Sequence, residues 1–107
     1  MKKQKDFTNV VKKVTDRIKN YGDFRSGKWH IYFEGAATFR HIRMYNDDEP
    51  YAHCYGFCME LDEAPNINQT GTLTYCSQDF ADDEVGMNIV NTFKAALPNF
   101  TFEDEKY

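Results

Sequence analysis

The sequence has few cysteines and lacks a long hydrophobic run. Its three cysteines among 107 residues are an odd number, which does not fit the disulfide framework of small secreted domains. No apolar stretch approaches the roughly 18 residues that a membrane-spanning helix needs. The basic N-terminus is not followed by the apolar segment of a signal peptide. Together these absences predict a cytoplasmic protein with free thiols and no membrane association.

Motifs that carry catalysis or bind cofactors are missing as well. The six glycines are scattered, so the chain has no phosphate-binding loop. No cysteine or histidine spacing matches a zinc site. Acidic pairs such as Asp47-Asp48 and Asp82-Asp83 fall where a turn and a helix start are expected, which are ordinary places for solvated carboxylates. We therefore predict that the protein is not an enzyme and needs no cofactor or metal.

The residues that are present suit one small folded domain. A length of 107 residues is typical of a single domain, and 41% hydrophobic with 16% aromatic residues can supply its core. Charge is unevenly divided along the chain. Residues 1–28 hold nine Lys/Arg against three Asp, a net charge of +6, whereas residues 29–107 hold four against fourteen acids, a net charge of −10. This division predicts a basic helix beside an acidic body.

Two helices are predicted at the ends of the domain. Hydrophobic residues recur at spacings of three and four between Phe7 and Tyr21, which predicts an amphipathic helix within residues 1–21. Asp82 is a suitable N-cap and Pro98 a suitable stop, so a second helix is predicted over residues 82–97. The remaining residues, 98–107, are interpreted as an acidic tail or an edge strand.

The central region, residues 28–77, predicts an antiparallel sheet. Apolar and polar residues alternate there between turn signals, which is typical of strands with one buried face. The strands are predicted at 28–34, 38–45, 51–61 and 72–77. The order α-β-β-β-β-α predicts an α+β fold in which a four-stranded meander, or a five-stranded one with the C-terminal segment, carries both helices on one face.

A histidine- and tyrosine-rich sheet face follows from the expected registers. A turn at Gly35-Ala36 would pair His30 with His41, and the next hairpin would pair Tyr45 with Tyr51. Because side chains alternate along each strand, these registers place a common set on one face. Its predicted partner-binding residues are Tyr32, Phe39, His41, Arg43, Tyr45, Tyr51, His53 and Tyr55, with Phe57 beside them. The helices are expected on the other face.

The same registers bear on metal binding and nucleophilic catalysis. His30 and His41, if directly opposed, would have Cβ atoms about 5 Å apart, so a metal site is an alternative to a structural histidine pair. Cys54 and Cys58 are expected on the helix-covered face, away from the histidines. Alternation along one strand then excludes a dyad of His53 with Cys54.

An uncovered aromatic face predicts an interaction surface. The turn residues Asp47, Asp48 and Glu49 extend it and would steer the protein to a basic partner, such as a nucleic-acid-binding enzyme. The predicted function is a non-enzymatic protein-binding module, an inhibitor or adaptor of the kind found among phage proteins, mobile-element proteins and toxin-immunity proteins.

Three alternatives to this function stay open. A homodimer would bury the aromatic face between two sheets. Single-stranded nucleic acid would stack on the face, although the acidic body opposes this. In the third alternative the face is not available to a partner, because the C-terminal segment around Phe100 and Phe102, or the helices, cover it.

Overall fold

Two α-helices and a six-stranded sheet are seen in the computed structural model, which describes residues 7–48, 54–63, 70–80 and 82–105. This confirms the α+β class. The helices are α1 (Thr8–Asp16) and α2 (Asp83–Ala96), and a short 3-10 helix spans Ser77–Asp79. The strands are β1 (Phe24–Ser26), β2 (Trp29–Ala36), β3 (Phe39–Asn46), β4 (Tyr55–Leu61), β5 (Gly71–Tyr75) and β6 (Phe100–Asp104).

The strands lie in the sheet in the same order as in the chain. Strands β1 to β5 form an antiparallel meander, and β6 pairs with β5 in parallel. A parallel pair needs a crossover connection, and α2 provides it. The sheet therefore exceeds the four or five strands expected. Strand β1, with only three residues, is too short to show alternation, and the C-terminal segment is an edge strand.

The two helices differ in how well their bounds were predicted. Helix α2 begins after Asp82, whose side chain accepts a 3.2 Å hydrogen bond from the backbone N–H of Val85. Helix α1 ends at Asp16, five residues before the expected end, although Ile18 is still buried. The helices have 9 and 14 residues. In the described ranges, no helix is long and apolar enough to cross a membrane.

Both helices pack on the same face of the sheet, as expected. Trp29, Ile31 and Phe33 of β2 point toward them, with Ile42 and Met44 of β3. The helices add Val10, Val11, Val14, Ile89, Val90 and Phe93 to this core. The core therefore lies between the helix layer and one face of the sheet.

The hairpin of β2 and β3 turns two residues later than expected. Ala36 pairs with Phe39, and the turn residue Ala37 has φ 52°. Gly35 lies inside β2, where an added Cβ would stand only 2.5 Å from the Phe39 carbonyl oxygen. This glycine therefore permits a close approach within the hairpin. The register moves by an even number of residues, so the faces of β2 and β3 are as predicted.

The predicted face of β4 was wrong. Met44 pairs with Tyr55 and Ile42 with Phe57, so both aromatic side chains point into the core, exposed by 0% and 1%. The predicted pairing of Tyr45 with Tyr51 has the opposite parity, and a register change by one residue turns every side chain of a strand to the other face. Burying Tyr55 and Phe57 removes more apolar surface from water than burying cysteine and glycine, which favours the observed register.

Candidate functional site

The sheet face opposite the helices is covered by no element in the described ranges. We call this surface the open face. Its side chains are exposed or half-buried, and alternation along each strand places them together. The first three strands contribute Arg25 on β1; His30, Tyr32 and Glu34 on β2; and Phe39, His41, Arg43 and Tyr45 on β3. Strand β4 contributes Gly56, Cys58 and Glu60, with Cys54 just before it. The last two strands contribute Thr72 and Thr74 on β5, with Cys76 just after it, and Thr101 and Glu103 on β6, with Glu105 just after it.

One half of the open face, formed by β1 to β3, is bulky and ordered by ring contacts. We call it the aromatic half. The rings of His30 and Tyr32 have centroids 4.4 Å apart, and those of Tyr32 and Tyr45 are 5.4 Å apart at 90°. The guanidinium of Arg43 lies 5.4 Å from the Tyr32 centroid, and its Nη2 is 3.4 Å from Oε1 of Glu34. These contacts hold several large side chains in place before any partner binds.

The other half, formed by β4 to β6, carries small side chains next to β3 and glutamates at Glu60, Glu103 and Glu105, and is termed the flat half. Three of its residues are the free cysteines Cys54, Cys58 and Cys76. A shallow depression of about 210 Å³ lies where Cys54, Gly56 and Cys76 meet His41 and Arg43 of the aromatic half, with Asp79 and Phe80 at its edge. The face therefore has a step between bulky and small side chains, close to the boundary of β3 and β4.

Two thiols of the flat half, those of Cys54 and Cys58, have pKa values raised toward the protonated form. Burial raises the pKa of the Cys54 thiol, and it raises the pKa of the Cys58 thiol with a further contribution from the negative charge of Glu105. Cys58 lies directly opposite His41 in the sheet. An activated cysteine nucleophile needs a lowered pKa, so the direction of these shifts does not favour thiolate chemistry at this pair.

The histidines are arranged differently from the expected pair. His30 lies opposite Tyr45, and His41 lies between Glu34 and Cys58. The expectation that Cys54 and Cys58 lie on the other face from the histidines was wrong, because β4 is turned over. Among the residues that the structure describes, no group of three His, Cys, Asp or Glu side chains is placed to hold a metal ion.

Charge is distributed unevenly across the strands of the open face. The arginines, Arg25 and Arg43, are in the aromatic half, and the flat half carries Glu60, Glu103 and Glu105. Both arginines are paired with a carboxylate: Glu34 contacts Arg43, and Asp47, just after β3, contacts Arg25. This division on the sheet lies between β3 and β4, whereas the division along the sequence lies near residue 28, so the two are separate features.

The structure brings together five of the predicted partner-binding residues. These are Tyr32, Phe39, His41, Arg43 and Tyr45, all on the open face. Tyr55 is a correction, since it lies in the core with 0% exposure. Glu49, Tyr51 and His53 lie outside the described residues.

The two acidic turn residues in the described part of the chain are occupied by ion pairs. Asp47 contacts the guanidinium of Arg25, and Oδ1 of Asp48 lies 3.0 Å from Nζ of Lys28. Both cations belong to the neighbouring β1–β2 hairpin. These carboxylates therefore join β3 to that hairpin, and they are not the free acidic cluster that the sequence predicted.

Sequence reasoning missed the flat half of the site. Cys54 and Cys58 were expected on the helix-covered face because the predicted pairing of Tyr45 with Tyr51 placed them there. The available signal was the alternation of Tyr55, Phe57, Met59 and Leu61, whose larger side chains all lie in the core.

Comparisons with protein-family models, with curated proteins and with solved structures found no match for this chain.

Proposed function

We propose that this protein is a non-enzymatic protein-binding module and that the open face is its interface. The observation that carries this proposal is a six-stranded sheet with helices on one face and an ordered aromatic cluster on the other. Tyrosine and arginine are the residue types that contribute most to binding energy in protein interfaces. Phe39, with 45% of its surface exposed, adds apolar area at the end of the same strand.

The order of the cluster supports binding in a further way. Fixing a flexible side chain on association costs about 0.5–1.5 kcal/mol. Tyr32 is already held between His30, Tyr45 and the Arg43 guanidinium, so less of this cost arises when a partner docks. A pre-ordered aromatic surface binds more tightly than a flexible one of equal area.

The electrostatics favour a protein with a basic contact surface over a nucleic acid. Glu60, Glu103 and Glu105 would repel phosphate groups laid across the flat half. The same carboxylates attract cationic side chains. The first turn of α2, with Asp83 and Glu84 after Asp82, adds acidic charge near the β5 end of the molecule. An inhibitor or adaptor that acts by occupying a partner's basic surface is the role that fits this pattern.

The thiols favour binding over chemistry and fit a reducing compartment. Cys54 and Cys58 have raised pKa values, so they are mainly neutral thiols near pH 7. In the open face they serve as small packing surfaces. We place the protein in the cytoplasm on this basis, since half-exposed free thiols persist where disulfides are reduced.

Affinity capture with matched variants tests the proposal. The tagged chain is presented to a lysate of its source cells that also contains the untagged chain. The double variant Tyr32→Ala, Tyr45→Ala should lose the proteins that the wild type retains. The variant Lys13→Ala, on the exposed side of α1, should retain them. Equal retention by the wild type and the double variant, with circular dichroism showing both folded, would refute the interface.

Alkylation of the thiols provides an independent readout of the same surface. Cys54, Cys58 and Cys76 all lie on the flat half, so a bound partner should slow their reaction with iodoacetamide, as measured by mass spectrometry. An unchanged rate in the complex would place the interface elsewhere.

A further inference from the structure

The open face is complementary to itself. Its aromatic half is bulky and carries the arginines, and its flat half is low and carries a surplus of carboxylates. We propose that a second copy of this chain covers the open face, in a two-fold dimer whose axis lies between the sheets and parallel to the strands. This inference rests on the proposed function, because it names the partner of the same surface: the cations that meet the carboxylates of the flat half are the arginines in the aromatic half of the second copy.

The strand registers define rows of side chains across the face. Combining the pairings gives a row of Glu34, His41, Cys58, Thr74 and Glu103. Extending the pairings of β5 by one residue beyond Tyr75 gives a second row of Tyr32, Arg43, Gly56, Cys76 and Glu105. In each row, side-chain size falls from β3 to β4. The middle of each row lies between β3 and β4, where the step in height occurs. A symmetry axis placed there relates the bulky half of one copy to the flat half of the other.

A two-fold axis parallel to the strands reverses the strand order of the second copy. Strand β3 then lies over β4 of the second copy, β2 over its β5, and β1 over its β6. Arg43 meets the surface at Gly56, and Tyr32 meets Cys76. Arg25, which contacts Asp47 of its own chain, approaches Glu105 of the other copy, so that a cation lies between two carboxylates on both sides of the dimer. Each contact occurs twice, as an isologous interface requires.

The other in-plane axis gives a poor interface. A two-fold axis perpendicular to the strands stacks β2 and β3 on the same strands of the second copy, so that bulky side chains oppose bulky ones. It also places the arginines near arginines and Glu103 and Glu105 near their own copies. Like charges at an interface are destabilising, and the uneven surfaces would leave a gap over the flat half. Shape and charge therefore favour the parallel axis.

The size of the face suits a dimer of moderate affinity. Five strand spacings of about 4.8 Å and five residues of about 3.3 Å give a projected area of roughly 400 Å² for each copy. The accessible area of side chains exceeds the projection, so the total approaches the about 1,000 Å² at which specific interfaces begin. We expect a dissociation constant of about 1–100 µM, the range of weak and transient complexes.

Gly56 provides the sharpest test. A Cβ built at this position meets no atom within 4 Å, so a larger side chain is tolerated by the protein's own fold. In the dimer, however, the same position receives Arg43 of the other copy. The variant Gly56→Arg should therefore prevent association by both steric overlap and charge repulsion. Asn91→Arg, at an exposed position of α2, adds the same side chain away from the face and serves as the control.

Sedimentation equilibrium between about 1 and 500 µM, which brackets the expected affinity, gives the readout. The wild type and Asn91→Arg should show a concentration-dependent dimer, and Gly56→Arg should stay monomeric with an unchanged circular dichroism spectrum. A wild type that is monomeric at the highest concentration would overturn the inference. So would a Gly56→Arg variant that dimerises as well as the wild type.

A charge variant distinguishes the two axes. With the parallel axis, Glu105→Gln removes the attraction to Arg25 of the other copy and should weaken the dimer by roughly 3- to 10-fold, the range of single interfacial charge changes. With the perpendicular axis, the same change removes repulsion between the two Glu105 carboxylates and should strengthen the dimer, which would overturn the proposed geometry. A monomeric wild type that still captures another protein through Tyr32 and Tyr45 would overturn the dimer alone and leave the proposed function standing.

Discussion

Arg40 Nε donates a 2.9 Å hydrogen bond to the carbonyl oxygen of Ile18, in the interior of the protein. The Arg40 side chain is only 2% exposed, and its Nη1 donates to the carbonyl oxygens of Ala37 and Phe39 at 2.9 and 2.7 Å. Its guanidinium also lies 4.8 Å from the centroid of the Tyr21 ring. A single side chain of β3 therefore joins the segment after α1 to the β2–β3 turn.

Replacing Arg40 should destabilise the fold strongly. Arg40→Ala leaves three carbonyl oxygens without this donor and opens a cavity beside β3. An unsatisfied buried acceptor costs about 1–3 kcal/mol, so we expect the free energy of unfolding to fall by about 3 kcal/mol in a urea titration. Arg43→Ala, a half-exposed arginine on the same strand, should change it by less than about 1 kcal/mol. Similar losses in both variants would contradict the role of Arg40.

The two tyrosines Tyr55 and Tyr45 should differ sharply in their effect on stability. Tyr55 is fully buried and packs against Trp29 and Phe80, with ring centroids 6.1 and 5.8 Å away. Truncating a buried aromatic residue to alanine costs about 3–5 kcal/mol. We expect that loss for Tyr55→Ala and less than about 1 kcal/mol for Tyr45→Ala on the open face, both measured by urea unfolding. The reverse order would show that β4 is turned the other way.

Gly86 and Gly56 should respond oppositely to alanine. A Cβ on Gly86 would overlap the ring of Phe80, which packs against α2, whereas a Cβ on Gly56 meets nothing within 4 Å. Overpacking costs about 1–3 kcal/mol, which exceeds the roughly 1 kcal/mol that alanine gains over glycine in a helix. Gly86→Ala should therefore lower the melting temperature, and Gly56→Ala should leave it unchanged or raise it. A stabilised Gly86→Ala variant would contradict the packing of Phe80.

The Cys58 thiol should ionise at a higher pH in the folded protein than in the unfolded chain. Burial and, to a lesser extent, the charge of Glu105 raise its pKa. In a Cys54→Ser, Cys76→Ser variant, the pH midpoint of the iodoacetamide reaction rate should therefore lie higher in buffer than in urea. Glu105→Gln should lower the midpoint of the folded protein in part. A folded midpoint at or below the unfolded one would disprove the assigned environment.

The raised pKa of Cys58 also makes the stability of the fold depend on pH. Because the folded-state pKa is raised, the neutral thiol is favoured by folding, and the associated stability is fully present below the unfolded-state pKa. It is lost as the pH rises through the folded-state value. The free energy of unfolding should thus decline at alkaline pH more in this single-cysteine variant than in one where Cys58 is also serine.

Helix α2 and the faces of β2 and β3 were predictable because their signals are local. Asp82 and Pro98 mark the ends of α2 in the sequence, and alternation from Trp29 to Phe33 identifies the buried face of β2. Arg40 shows the limit of such reasoning. Alternation places it on the core side of β3, where a charged residue is not expected. Its burial is explained by three carbonyl partners, one in the segment after α1 and two in the β2–β3 hairpin.

The flat half of the open face could not be obtained in this way. Its assignment depends on the register of β4 against β3, and the connecting loop is long enough to allow either parity. Strand β4 can turn either Tyr55 and Phe57 or Cys54, Gly56 and Cys58 toward the core. Alternation along the strand is the same in both arrangements. Only the pairing of Met44 with Tyr55 decides between them.

The sequence by itself determined that this chain forms one α+β domain, that its cations and carboxylates are concentrated in different parts, and that an aromatic cluster lies on β2 and β3. These properties follow from composition, spacing and alternation within short segments. The tertiary structure decided which face β4 presents and that β6 joins in parallel. It also decided that Glu60, Glu103 and Glu105 share one half of the open face with the cysteines. Those features depend on contacts between residues distant in the chain, because register and strand order are set by how the whole core packs.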